Sequence, residues 1–184
     1  AILTQNTAWS NVERALAGLR GETELTPHGL MRLDEDALAK AIRPSGYFNV
    51  KARRLRAFCS ELLAAGGLEA LSEQPTGQLR DWLLRINGVG PETADDILLY
   101  AFERPVFVVD AYTRRLFARL QLIAGTESYE ELRRMVEAEI GPDAACFSEL
   151  HALVVRHAKE ICRARSPRCP ACPLRRDCPS RDGA

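Results

Sequence analysis

The chain has 184 residues, enough to bury a core as one compact domain or two small ones. No uninterrupted apolar run is long enough to span a bilayer as a helix, so no membrane span is expected. The 25 basic and 25 acidic residues cancel, so the net charge gives no sign of a nucleic-acid partner, and any charge facing one must be arranged locally. Lys40, Lys51 and Lys159 are the only lysines; every other basic residue is arginine, as a GC-rich coding sequence would give.

The chain opens on Ala1-Ile2-Leu3 inside an apolar helical pattern, which leads us to expect a preceding segment. Apolar residues then recur at helical spacing nearly throughout. Residues 11–19 carry Val12, Ala15, Leu16 and Leu19 on one face, and 33–42 follow with Leu38 and Ile42 behind Asp34 as N-cap. Residues 51–65 align Leu55, Phe58, Leu62 and Leu63 before Gly66-Gly67 ends the helix. Helices over 79–86 and 93–102 flank a glycine-rich turn, and further helices are predicted over 111–120, 129–140 and 144–161. Only 106–109 looks β-like, too short to found a sheet, so the fold class is all-α. Pro105 cannot continue the preceding helix, which places a boundary there between lobes 1–104 and 105–184.

The turn reads Asn87-Gly88-Val89-Gly90-Pro91-Glu92-Thr93. Gly88 and Gly90 allow a tight turn with accessible backbone, Val89 plugs the gap between helices, and Pro91 suits a first helical position. The free amides at that helix start form a site for a phosphate. An ordinary αα-hairpin with glycine at its turn has the same pattern. Further on, Asp110 follows the apolar run 106–109 and precedes a helix, where it serves equally as an N-cap or as a fixed carboxylate.

Four of the six cysteines crowd one segment, Cys162-x6-Cys169-x2-Cys172-x5-Cys178. Such spacing reads as metal ligation, and on spacing alone zinc and a [4Fe–4S] cluster are both open. Cys59 and Cys146 stand alone in apolar helical stretches and are expected to be buried free thiols. Arg163, Arg165, Arg168, Arg175 and Arg176 interleave with the four clustered cysteines, either reaching backbone phosphates or offsetting an anionic centre. His151 and His157 are expected to be helix or packing residues.

These motifs together resemble the endonuclease III superfamily of helix-hairpin-helix DNA glycosylases over nearly the whole chain. The matching segments also include Leu3-Thr4-Gln5-Asn6-Thr7, Gly46-Tyr47-Phe48-Asn49-Val50-Lys51-Ala52 and His157-Ala158-Lys159. The resemblance implies a six-helix lobe carrying the hairpin at about 79–102 and a second lobe with the catalytic aspartate and the 162–178 loop. It implies a [4Fe–4S] cluster on Cys162, Cys169, Cys172 and Cys178, with Asp110 catalytic. Gly88, Val89, Gly90, Arg165 and Arg168 are implied on the DNA, and Gln5 either fills the gap left by an extruded nucleotide or acts as a polar cap. The implied partner is double-stranded DNA containing a damaged base, met by a monomer in the cytoplasm at the nucleoid.

One departure sets the expected subtype. In bifunctional relatives a lysine just after the hairpin attacks the sugar; here that position is Glu92, which cannot form an imine. A monofunctional glycosylase using water on a damaged, alkylated base is therefore expected, the alternatives being a glycosylase/lyase for oxidised pyrimidines and a non-catalytic module that binds damaged DNA. Glu92 either faces a cationic base or is a favourable acid at a helix start. The hairpin and the LTQNT segment followed by Trp9 look nearest to the 3-methyladenine glycosylases of the superfamily, which can lack the cluster cysteines. Trp9 either stacks on an electron-poor base or fills the core.

Overall fold

The computed structural model describes residues 1–181. It contains ten α-helices and two short 3-10 turns, with no strand among the described residues. It divides into two compact units, Ala1–Ala94 and a second from Asp95 onward.

The first unit begins with turns over residues 2–6, where a helical pattern was expected; Ile2 and Leu3 are nonetheless buried. Helix α1 (Trp9–Glu22) buries Val12, Ala15 and Leu19, the expected stripe. Helix α2 (Pro27–Arg32) was not anticipated; the side chain of Thr26 accepts from Gly29 N at its start, with Pro27 at the first helical position. Asp34 caps α3 (Glu35–Ala41) as expected, accepting from Ala37 N at 2.7 Å. Leu3, Val12, Leu19, Leu38, Ile42 and Ala52 share one core.

A 3-10 turn, Arg43–Ser45, leads to α4 (Phe48–Ala64). Gly66, in the left-handed region at φ 86°, ends α4, and α5 (Gly67–Ser72) starts at once, so the glycine pair separates two helices. Helix α6 (Thr76–Arg85) and helix α7 (Pro91–Ala101) form the two arms of the hairpin.

The division between units falls inside α7, earlier than Pro105. The cause is apolar packing: Leu99 of α7 shares a core with Phe107, Val108, Val109, Leu116 and Phe147. Residues 106–109 are buried without pairing as a strand, and Glu137 accepts the Phe107 N–H at 2.9 Å. A polar side chain thus replaces the missing ladder partner.

Helices α8 (Ala111–Arg119), α9 (Tyr129–Ile140) and α10 (Ala144–Glu160) complete the second unit. Ser128 and Glu131 form a capping box on α9. Cys59 is buried as expected, but Cys146 is exposed. It lies in the first turn of α10, off the stripe of Phe147, His151, Val154 and Ala158 that faces the core. No helix among the described residues is long and apolar enough to cross a membrane.

Candidate active site

In the first unit, one buried ammonium anchors the loop before α1. Lys51 is 2% exposed, and its Nζ donates to Leu3 O at 3.0 Å, Thr7 Oγ1 at 2.6 Å and Ser45 O at 2.8 Å. All three donors of the ammonium are used, which offsets the cost of burying it. Burial, reinforced by the charge of Arg54, lowers the pKa of Lys51.

The loop held this way carries Gln5. Gln5 Nε2 donates to Gly88 O at 3.0 Å and to Thr93 Oγ1 at 2.9 Å, and Arg54 Nη1 donates to Gln5 Oε1 at 2.5 Å. Gln5 therefore joins the loop to the hairpin, not to its own helix as a cap. Gly88 has φ 88°, and a Cβ there would meet the Arg54 side chain at 2.3 Å, so both backbone and space require glycine. A Cβ on Gly90 meets nothing within 4 Å, so no neighbour within the protein demands glycine there. Val89 is buried, and Glu92 is exposed in the first turn of α7.

Trp9 is 56% exposed at the first residue of α1, with its indole N–H on Glu13, so it is not a core aromatic. Tyr47 was only part of a matched segment in the sequence. It is 73% exposed, left-handed at φ 46°, and lines a surface pocket with Gln5, Asn6, Val50 and Arg54. A bulky residue held at positive φ while exposing its ring marks a constrained surface feature.

In the second unit, Asp110 does cap α8. Its Oδ1 accepts from Thr113 N at 2.7 Å and Thr113 Oγ1 at 2.9 Å. Its Oδ2 lies 3.6 Å from His151 Nε2, too far for a hydrogen bond. Burial alone would raise this carboxyl; the nearby imidazole and the Thr113 donors outweigh it and hold Asp110 below the usual carboxylate range. Tyr100 of α7 places its hydroxyl 2.6 Å from His151 Nδ1. Asp96, one turn earlier on α7, interacts electrostatically with His151, Asp110 and Asp95, and burial pushes its pKa up. The histidine read as packing is thus the centre of a polar cluster built from α7, α10 and the start of α8.

All four clustered cysteines carry free thiols and line one small cavity with Leu116, Arg119, His157 and Ile161. Among the described residues no three metal-binding side chains converge closely enough for a single ion. Four thiols around a common space form a donor set that fits a [4Fe–4S] cluster, as it would zinc. Their surroundings suit anionic sulfur: Arg119 Nη1 lies 3.3 Å from Cys162 Sγ, and His157 Nε2 lies 3.6 Å from Cys172 Sγ. Arg165 and Arg168 are exposed beside the loop.

The resemblance extends to whole chains and solved structures. The Methanocaldococcus jannaschii protein MJ1434, provisionally named a DNA repair glycosylase, is 45% identical over 98% of this chain and 83% of its own length. A structure of endonuclease III in non-covalent complex with DNA superposes with a TM-score of 0.82 at 27% identity, covering 98% of this chain and 80% of that one. The H. pylori 3-methyladenine DNA glycosylase bound to 1,N6-ethenoadenine gives a TM-score of 0.75 at 30% identity, covering 86% of this chain and 81% of that one. Residues 1–142 match the HhH-GPD family model for base excision DNA repair proteins, and a match over that span, on a fold of this kind, makes the chain a member of the HhH-GPD superfamily.

Proposed function

We propose that this DNA repair glycosylase is monofunctional and hydrolyses the N-glycosidic bond of an alkylated base in duplex DNA. The observation that carries the reading is Glu92 at the position where lyase-competent relatives hold lysine, together with Asp110, a partly buried carboxylate held below the usual carboxylate range. The lysines present support it. Lys51 has all three donors engaged, Lys159 lies 5.5 Å over the Tyr112 ring, and Lys40 is exposed on α3.

In this mechanism Asp110 stays ionised at neutral pH and stabilises positive charge developing on the deoxyribose. The C1′–N bond breaks with its electron pair going to the base, so a cationic alkylated base leaves neutral. Water bonds to C1′, and its proton passes to Asp110 and then to solvent. The amides at the start of α7 and the open backbone at Gly90 receive a phosphate, with Gly88 and Val89 holding the turn. The Trp9 ring stacks on the lesion or its neighbours, and Gln5 with Tyr47 lies against the distorted duplex. Similarity to a glycosylase named for 3-methyladenine supports an alkylated base as substrate.

Cys162, Cys169, Cys172 and Cys178 hold a [4Fe–4S] cluster in this reading, which supplies iron–thiolate bonds that cross-link the C-terminal segment. Arg165 and Arg168 then meet the DNA backbone as exposed charges. Iron and sulfide analysis of protein purified without air tests the assignment: about four iron atoms per chain are expected, and stoichiometric zinc overturns it.

The functional test is base release from methylated DNA by wild type and Asp110→Asn, with and without alkali. Free methylpurine from wild type alone, with strand breaks only after alkali, is expected. Breaks without alkali, or an imine trapped by borohydride, support a second reading as a glycosylase/lyase. That reading is favoured by the likeness to endonuclease III. Release undiminished in Asp110→Asn removes Asp110 from the chemistry.

A further inference from the structure

Three features locate an unspent interaction in the second unit. His151 is only 9% exposed, yet its Nε2 is buried without a hydrogen-bond partner. The atom it faces is Asp110 Oδ2 at 3.6 Å, the carboxylate oxygen that the Thr113 donors leave unused. The opposite ring nitrogen is occupied by the Tyr100 hydroxyl at 2.6 Å, and the two rings lie with centroids 5.8 Å apart. A buried polar atom left unpaired in an otherwise satisfied site costs free energy and calls for an explanation.

We propose that Tyr100 and His151 are positioning residues for Asp110: the tyrosine hydroxyl donates to Nδ1, so that the imidazole presents an Nε2–H to Oδ2. The opposite tautomer would point a nitrogen lone pair at an anionic oxygen, which is repulsive. Tyr100 is suited to donate, because burial and then the charge of Asp96 keep its hydroxyl protonated against a bond from Ser148. His151 meets Tyr100 of α7 and Asp110 at the start of α8, and interacts electrostatically with Asp96 of α7, to which Asp95 adds charge. Asp110 is the carboxylate that His151 serves, because Oδ2 is the oxygen that Nε2 faces, at 3.6 Å.

The 3.6 Å separation belongs to the protein without DNA, and hydrogen bonds around catalytic groups often tighten only in the reacting complex. Fixing the ring at Nδ1 sets the direction in which Nε2–H closes on Oδ2. One carboxylate oxygen is then held by Thr113 and the other by His151, which fixes the plane of the carboxylate and keeps it ionised.

The proposal rests on the glycosylase reading for its rate measurement only. Long-range proton–nitrogen spectra of histidine-labelled wild type report the tautomer directly. Nε2 bearing the proton, with Nδ1 bare, is expected, and a bare Nε2 overturns the proposal. Carbon-13 titration of Asp110 in His151→Leu should show its pKa raised, and the acid limb of the base-release profile should move to higher pH by the same amount. The rate at neutral pH should fall about tenfold with DNA affinity unchanged. His151→Gln, which keeps an N–H near the same reach, should recover most of both, whereas a purely structural role predicts neither the shift nor the rescue. Tyr100→Phe should give a smaller loss and a mixed tautomer. An Asp110 pKa unmoved in His151→Leu sinks the proposal whatever the rates. Absence of base release in wild type sinks the glycosylase reading and leaves the spectroscopic result standing.

Discussion

Lys51 in the first unit and His151 in the second are both buried polar side chains, but they are satisfied to different degrees. Lys51 uses every donor on two carbonyls and one hydroxyl, all from the chain segments it holds together. His151 uses one ring nitrogen and leaves the other facing a carboxylate oxygen just out of reach. A fully satisfied buried network rigidifies the chain around it, whereas a partly satisfied one leaves a group available to a reaction. On the proposed function the two units put similar chemistry to opposite uses, one as scaffold and one as machinery.

That contrast can be broken by experiment. Asp110→Asn should lower base release by about 10² to 10⁴-fold while leaving duplex binding intact, measured as free base by chromatography. A loss of less than about tenfold would mean that the second unit, too, is scaffold at this point. Lys51→Met should cost about 3 kcal/mol of stability in urea unfolding, because Leu3 O, Thr7 Oγ1 and Ser45 O all lose their donor. Lys40→Met, at an exposed position, should stay within about 0.5 kcal/mol. Gln5→Ala frees Arg54 and the hairpin from the loop and should weaken binding to abasic duplex about fivefold, read by anisotropy.

The smallest effect is a pH dependence. The carboxyl of Asp110 is held below its ordinary value in the folded protein, so its contribution to stability is present above that value and lost as pH falls through the folded-state pKa. The stability gap between wild type and Asp110→Asn should therefore be widest near neutrality and close below about pH 4. A gap independent of pH in matched urea titrations would show that the carboxyl is not depressed.

What the sequence makes legible follows from how local each signal is. Amphipathic stripes give the long helices, and Asp34, Asp110 and Gly66 mark boundaries through chemistry within a few residues of themselves. Short α2 and α5 escape because six residues are too few to display a period, and their proline and glycines read as breaks. The roles of Lys51, Tyr47 and His151 escape for a different reason. Each depends on segments brought together by folding: Ser45 and the loop before α1 for Lys51, the strained turn for Tyr47, and Tyr100 with Asp110 for His151. Cys146 misleads in the opposite direction, since an apolar neighbourhood in sequence does not tell which side of α10 faces inward.

Helix α8 begins at the candidate catalytic carboxylate and ends in a clasp. Arg119, its last residue, donates to Cys162 O, Arg163 O and Ala164 O, while its own carbonyl accepts from Ser180 Oγ at 2.8 Å. One residue thereby grips both ends of the cysteine segment, about 13 Å along the helix from Asp110. Without the proposed cluster those ends would be held by hydrogen bonds such as these, and any loosening would enter α8 at the end opposite its candidate catalytic aspartate. On the proposed reading, assembly of the iron centre would then act as a licensing step, and a cell short of iron would carry repair protein that is made but not yet fit for duty.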